Sequence, residues 1–165
     1  RSGISAYPDY QNFIRDNGWW LNDYALFMAL KTFFHDQPFR AWPEDIRMHW
    51  GFALEHYNRE LYFDIEFQKY MQFKFNQQWS RLKAYANGKH IQIVGDIPIY
   101  VSPDGADVWA HPELFQLDAH NAPTAIAGCP PDAFAKDGQA WGNPLYNWNF
   151  HRATDYAWWV SRMWS

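Results

Sequence analysis

The chain has 165 residues, room for one domain, and its 14 Lys and Arg against 18 Asp and Glu give a net charge of −4 with no basic cluster, which excludes a nucleic-acid footprint. A lone cysteine, Cys129, excludes an internal disulfide framework and fits a reducing cytoplasm. The longest apolar run, Tyr24 to Leu30, is too short to span a membrane, and no charged head with an apolar run marks a signal peptide.

The residues before Tyr7 read as an untethered end. Pro8-Asp9 starts a helix with an apolar face of Tyr10, Phe13 and Ile14, and Asn17-Gly18 stops it. Asn22 reads as the N-cap of a second helix, from Asp23 to about Phe34. That helix is apolar nearly all round from Tyr24 to Leu30, so it needs cover on more than one side. A chain this short has little material to supply it, which points to a larger body. Residues 35–51 are irregular, with a short helix start at Trp42-Pro43-Glu44-Asp45.

The longest helix is expected from about Arg59 to Ala86. Phe67, Met71, Phe75, Trp79, Leu82 and Ala86 form one stripe at helical spacing, widened by Phe63, Tyr70 and Phe73, and core packing is the natural reading of these rings. Asn87-Gly88 ends the helix. Ile91, Ile93 and Val94 then read as a buried strand over 90–95, broken at Gly95-Asp96 and Pro98. A short helix carrying Val108 and Trp109 follows Ser102-Pro103-Asp104-Gly105. Next come a single turn at His111–Phe115, a brief strand at Thr124–Ala127 and a long, proline-stiffened loop over 128–148. Asn149 or Thr154 caps a last helix over 149–165, still running at Ser165.

Helix, strand, long loop and helix make one piece of a βα-type fold. One strong strand makes no sheet, and an eight-stranded barrel needs roughly 250 residues. The expected class is therefore α/β, a slice of a (β/α)8 TIM barrel that is mostly helical with few strands. It forms one partial domain over 1–165: a helical segment 8–87, the strand 90–95, substrate loops 101–148 and the closing helix. The rest of a barrel, or another chain, is needed to cover its apolar faces.

Ligand chemistry concentrates in two places. Asp96 stands at the strand's exit, where parallel α/β folds aim carboxylates at ligands; the competing reading is that it only hydrogen-bonds a nearby loop. In the loop, Asp132, Gln139 and Asn143 offer groups for hydroxyls, while Phe134 and Trp141 offer ring faces. Sugars need both, because their axial C–H groups lie on aromatic faces. Aromatics at 21% with 11 Trp suit such a groove or a thick core. The competing reading for Trp141 and Tyr146 is that they pin the loop to the body. The seven histidines are scattered, without His-x3-His or Cys-x2-Cys spacing, so no metal site is expected. Asp96 and Asp132 are candidates by type for a retaining carboxylate pair, about 5 Å apart in such enzymes, though nothing in their spacing brings them together.

Four linked blocks carry a resemblance. They are Gly95-Asp96-Ile97-Pro98-Ile99-Tyr100-Val101, Val108-Trp109-Ala110-His111-Pro112-Glu113-Leu114-Phe115, Gly128-Cys129-Pro130-Pro131-Asp132, and Gly138-Gln139-Ala140-Trp141-Gly142-Asn143-Pro144-Leu145-Tyr146. With Trp20-Leu21-Asn22-Asp23-Tyr24-Ala25-Leu26-Phe27, they resemble the 4-α-glucanotransferases, or amylomaltases, of glycoside hydrolase family 77. The resemblance implies a (β/α)8 barrel, no cofactor, and transfer of α-1,4-glucan segments between maltooligosaccharides through a glycosyl-aspartate. It places Asp96 near the reacting sugar, Asp132 and Phe134 in a loop overhanging the glucan, and Gln139 and Trp141 beside bound sugar. Ala133 stands where an aromatic is common, which implies one stacking contact fewer. The family's nucleophile lies in an Arg-x-Asp-His stretch, which does not occur in this chain, and its acid/base glutamate comes later still. No catalytic residue is therefore expected here, and the chain looks like an internal fragment, inactive alone. A noncatalytic α-glucan-binding module is the alternative.

Overall fold

The computed structural model describes residues 7–164; the end expected to be untethered, and Ser165, lie outside them. The chain folds as two compact units, one of the residues up to Gln37 with Gly51–Ile97, the other of Pro38–Trp50 with Pro98 onward.

In the first unit α1 runs Pro8–Phe33 as one helix of 26 residues. The stop expected at Asn17-Gly18 does not occur. Asn17 donates its amide to the Phe13 carbonyl (2.9 Å) and accepts from the Trp20 indole (3.1 Å), while Asn22 donates to the Gly18 carbonyl (3.0 Å). Both asparagines therefore hydrogen-bond along the helix instead of ending or starting it. A mid-helix glycine costs about 1 kcal/mol, whereas each large apolar side chain fully buried contributes about 1.5–3 kcal/mol. Leu21, Leu26 and Leu30 are all buried on this helix, so burial outweighs the local stop signal. The helix ends where His35 and Asp36 turn to φ of 53° and 59°.

α2 (Glu44–Arg47), in the second unit, is the short helix read at Trp42–Asp45. α3 (Gly51–Glu60) and α4 (Tyr62–Gly88) return to the first unit, with a break at Leu61 where a continuous start near Arg59 was expected. α4 packs on α1 through Phe73, whose ring meets Tyr10 (5.3 Å between centroids) and Phe13 (5.6 Å). The Tyr10 hydroxyl donates to the Glu66 carboxylate at 3.2 Å. Burial first, and the Glu66 charge second, push the Tyr10 phenol well above its ordinary range.

Of the stripe expected to be core, only Ala86 and the flanking Phe73 are buried. Phe67, Met71, Phe75, Trp79 and Leu82 are exposed, and the buried residues of α4 are Ile65, Phe73 and Ala86. The helix carries two apolar faces, and α1 covers only the one centred on Phe73.

The strand expected at 90–95 is also absent: residues 91–98 pair with no other backbone segment as a ladder. His90 takes φ 62°, and its N–H and that of Ile91 bond back to Asn87 and Ala86, closing the end of α4. β-branched residues favour a strand only when a neighbouring strand accepts their hydrogen bonds. None of the described residues does so here.

The second unit is built on Trp109. It lies on α5 (Ala106–Ala110), fully buried, with its indole N–H donated to the Ile46 carbonyl at 2.8 Å and its ring against Trp42 and His49. Asp104 receives the Phe39 N–H at 2.9 Å, which ties the 3-10 turn Phe39–Ala41 to the start of α5. A second 3-10 turn, Pro112–Leu114, matches the single turn expected there. β1 (Ile126–Cys129) and β2 (Gln139–Pro144) form an antiparallel hairpin. Bridges Phe115 to Tyr146 and Leu117 to Pro123 extend this pairing backward along the chain.

The expected closing helix 149–165 is two helices, α6 (Trp148–Ala153) and α7 (Ala157–Trp164). Asp155 and Tyr156 divide them at φ of 50° and 55°. Neither Asn149 nor Thr154 is the N-cap. Asn147 caps α6 by accepting the Phe150 N–H (3.3 Å), and the Thr154 hydroxyl donates to the Phe150 carbonyl (3.0 Å) at the other end.

Candidate functional site

The residues read as sugar ligands divide between the two units. Asp96 lies in the first and is exposed, and its carboxylate accepts the N–H of the next residue, Ile97, at 2.8 Å. A cavity of about 560 Å³ lined by Asn87, His90, Ile91 and Gln92 lies at the end of α4 and takes in none of the expected ligands.

Asp132, Phe134, Gln139, Trp141 and Asn143 all belong to the hairpin of the second unit. Cys129 pairs with Gln139 at its mouth, and residues 130–138 form the connection. Two glycines let the strands close. A Cβ on Gly128 would collide with the Gln139 carbonyl oxygen, and one on Gly138, already at φ +72°, would lie 2.6 Å from the Cys129 carbonyl oxygen. At the tip, one Asp132 carboxylate oxygen accepts the N–H groups of Phe134 (2.8 Å) and Ala135 (2.7 Å). The Asp132 N–H in turn donates to the Ala135 carbonyl at 3.1 Å. Phe134 stands out from this turn with 97% of its surface exposed.

β2 is irregular. The step from Ile126 to Gly128 on β1 is matched by the longer step from Pro144 to Ala140 on β2, a bulge that contains Gly142 at φ +80°. Bulges of this kind re-aim side chains beside functional sites. Trp141 sits in the bulge, 49% exposed, with its indole N–H donated to Gln139 Oε1 at 2.9 Å. The next residue but one, Asn143, donates its amide to the Val101 carbonyl at 2.7 Å. Two of the expected hydroxyl ligands therefore use part of their polar capacity inside the protein: Gln139 orients the Trp141 ring, and Asn143 anchors the neighbouring chain.

Behind the hairpin lies an aromatic cluster that sequence reasoning did not assemble. Tyr146 is its centre. It is buried, its ring meets Tyr100, Phe115, Trp148, Trp158 and Trp159, and its hydroxyl donates to the Ile99 carbonyl at 2.6 Å. Burial pushes its phenol up. Tyr146 thus pins the loop to the body, whereas Trp141 keeps half its surface open. Tyr100 lies parallel to Tyr146 (6.0 Å, 12°) and 6.2 Å from Trp141, linking the buried rings to the exposed one. His151, fully buried in the same cluster, bonds the Leu114 carbonyl through Nε2 (3.1 Å), and burial holds its imidazole below the ordinary range. Arg162 lies over the Trp158 and Trp159 rings and donates to the Pro98 carbonyl at 3.0 Å.

Among the described residues no three His, Cys, Asp or Glu side chains gather as a metal cluster, and no helix is long and apolar enough to cross a membrane.

The family model of glycoside hydrolase family 77, 4-alpha-glucanotransferase, matches residues 3–165. The chain belongs to this family. Among the 4-alpha-glucanotransferases, that of Clostridium butyricum is 45% identical over 155 residues, 93% of this chain, and that of Thermus thermophilus is 44% identical over 92% of it. The chloroplastic and amyloplastic enzyme of Solanum tuberosum is 40% identical over 93% of the chain. An amylomaltase from Streptococcus agalactiae, solved in complex with acarbose, superposes with a TM-score of 0.89 over 93% of this chain at 44% identity. The chain spans about a third of these relatives' length: 32%, 30%, 27% and 31% in the same order. Amylomaltase is a TIM barrel, and the fold seen here, mostly helical with one two-stranded sheet, is a part of one.

Proposed function

We propose that this chain supplies part of the substrate cleft of a 4-alpha-glucanotransferase, a transferase that moves α-1,4-glucan segments to an acceptor glucan. The single observation that carries this reading is the hairpin. It presents two aromatic faces, Phe134 on a carboxylate-held tip and Trp141 on a bulge, with the Trp141 indole N–H fixed by Gln139. Flat apolar faces held at fixed angles suit the C–H faces of pyranose rings, and fixing them beforehand lowers the ordering cost of binding. That a relative was solved with acarbose supports a sugar-like ligand.

In the proposed reaction a carboxylate outside this chain attacks the anomeric carbon and forms a glycosyl-enzyme ester as the leaving glucan takes a proton. The acceptor 4-hydroxyl then displaces the enzyme carboxylate, giving its proton to the group that had protonated the leaving glucan, and the two inversions together retain the configuration. This chain contributes sugar contacts through Phe134 and Trp141 of the hairpin, which also carries Gln139 and Asn143, and no reacting group. The exposed stripe on α4 supports a setting in which the rest of a barrel, or another chain, covers Phe67, Phe75 and Trp79. A cytoplasmic setting belongs to the same reading, supported by the single Cys129.

Calorimetric titration of the chain with maltoheptaose tests the assignment. Binding is expected to weaken at least tenfold in Trp141→Ala. A disproportionation assay on the chain with maltotriose is expected to give no glucose and no longer oligomers. Binding without transfer in the complete reading frame as well would favour the noncatalytic glucan-binding module instead.

A further inference from the structure

Asp132 was read from the sequence as a sugar ligand, but its surroundings assign it other work. One oxygen of its carboxylate already accepts two backbone N–H groups, from Phe134 at 2.8 Å and Ala135 at 2.7 Å. The same residue's N–H donates to the Ala135 carbonyl, which also receives the Gly138 N–H at 3.0 Å. The turn is thus closed in both directions around Asp132, while its aromatic residue stands in solvent. Ala133 is exposed, and Phe134 is 97% exposed, so the ring packs against nothing that would fix its place. A side-chain oxygen that accepts two backbone N–H groups orders a turn that burial does not.

We infer that Asp132 is a positioning residue: its carboxylate holds the hairpin tip in the shape that presents the Phe134 ring to a pyranose face, and it does not itself ligate the sugar. The clause about the sugar rests on the glucan reading above; the clause about the turn does not. With Ala133 before it and Ala135 after it, Phe134 is the one large ring of the turn. The tip therefore offers a single stacking contact, and its value depends on the angle at which the backbone holds that ring.

Substitutions separate positioning from direct contact. An asparagine keeps an acceptor oxygen in the same place and loses only the charge, whereas an alanine loses the acceptor. In the 165-residue chain, hydrogen exchange at the Phe134 and Ala135 amides is expected to speed up at least tenfold in Asp132→Ala and to stay within about threefold of the parent in Asp132→Asn. Affinity for maltoheptaose is expected to fall in Asp132→Ala to the level of Phe134→Ala, to change less than about threefold in Asp132→Asn, and to fall no further in the double variant Asp132→Ala/Phe134→Ala. An affinity loss in Asp132→Asn equal to that in Asp132→Ala, or additive losses in the double variant, would overturn the inference in favour of direct ligation. Unchanged amide exchange in Asp132→Ala would overturn it at the level of the turn. If the parent chain binds no maltoheptaose, the glucan reading fails, and the exchange data still decide whether Asp132 holds the tip.

Discussion

Two stretches of this chain carry strand-like residues, and only one of them forms strands. Ile91, Ile93 and Val94 are the better β-formers by residue type, yet residues 91–97 lie in no ladder and Val94 is 92% exposed. The stretch 126–144 contains three glycines and a string of prolines, yet it closes as β1 and β2. The difference is the partner. The second stretch turns back on itself through the connection 130–138, so each strand brings its neighbour along. The first has no neighbour among the described residues, and propensity without a ladder forms nothing.

The sharpest way to break the hairpin is to remove the room its strands need. Gly128→Val would drive a Cβ into the Gln139 carbonyl, and it is expected to destabilise the second unit by about 3 kcal/mol, read by urea unfolding. Next comes the bond that ties Ile99 to the cluster behind the hairpin. Tyr146→Phe removes the donor at 2.6 Å from the Ile99 carbonyl and is expected to cost about 1–1.5 kcal/mol in the same measurement.

A smaller effect depends on pH. His151 is held neutral by burial, so its folded pKa lies below the ordinary 6.5 at which the unfolded chain takes up a proton. Its contribution to stability is full above that value and is lost as pH falls from 6.5 through the folded pKa. Urea midpoints measured from about pH 7.5 down to about pH 5.5 should fall in the parent, and fall less in His151→Gln, which keeps a donor for Leu114. The smallest effect is expected in the stretch without a partner: Val94→Ser should change stability by less than about 0.5 kcal/mol. A larger loss would mean that this stretch does form a ladder in solution.

What could be read from the sequence followed the range of the forces involved. The turn at Pro112, the start of α5 after Gly105 and the short helix after Pro43 were legible because each is set by a proline, a glycine or an acidic first turn within a few residues. Asn17-Gly18 misled because its local stop signal competes with the burial of Leu21 and Leu26, which only the packing of α1 on α4 reveals. β2 was read as loop because Gly142, Asn143 and Pro144 are turn residues by type, and here they build a bulge. At the site, Phe134 and Trp141 were legible as rings in a stiffened loop. The hydrogen bonds that Asp132, Gln139 and Asn143 make within the protein were not, since a carboxylate or amide looks the same in sequence whether it meets a hydroxyl or its own backbone.

The near-complete exposure of Phe134 has a consequence for handling the molecule. Chymotrypsin cleaves after large aromatic side chains, and this one is offered at a loop tip with an alanine on either side. Mild digestion should cut there early. The two products should stay together through the flanking strand pairs until denaturant parts them, giving a nicked species that runs as one body in gel filtration and as two bands under denaturing electrophoresis.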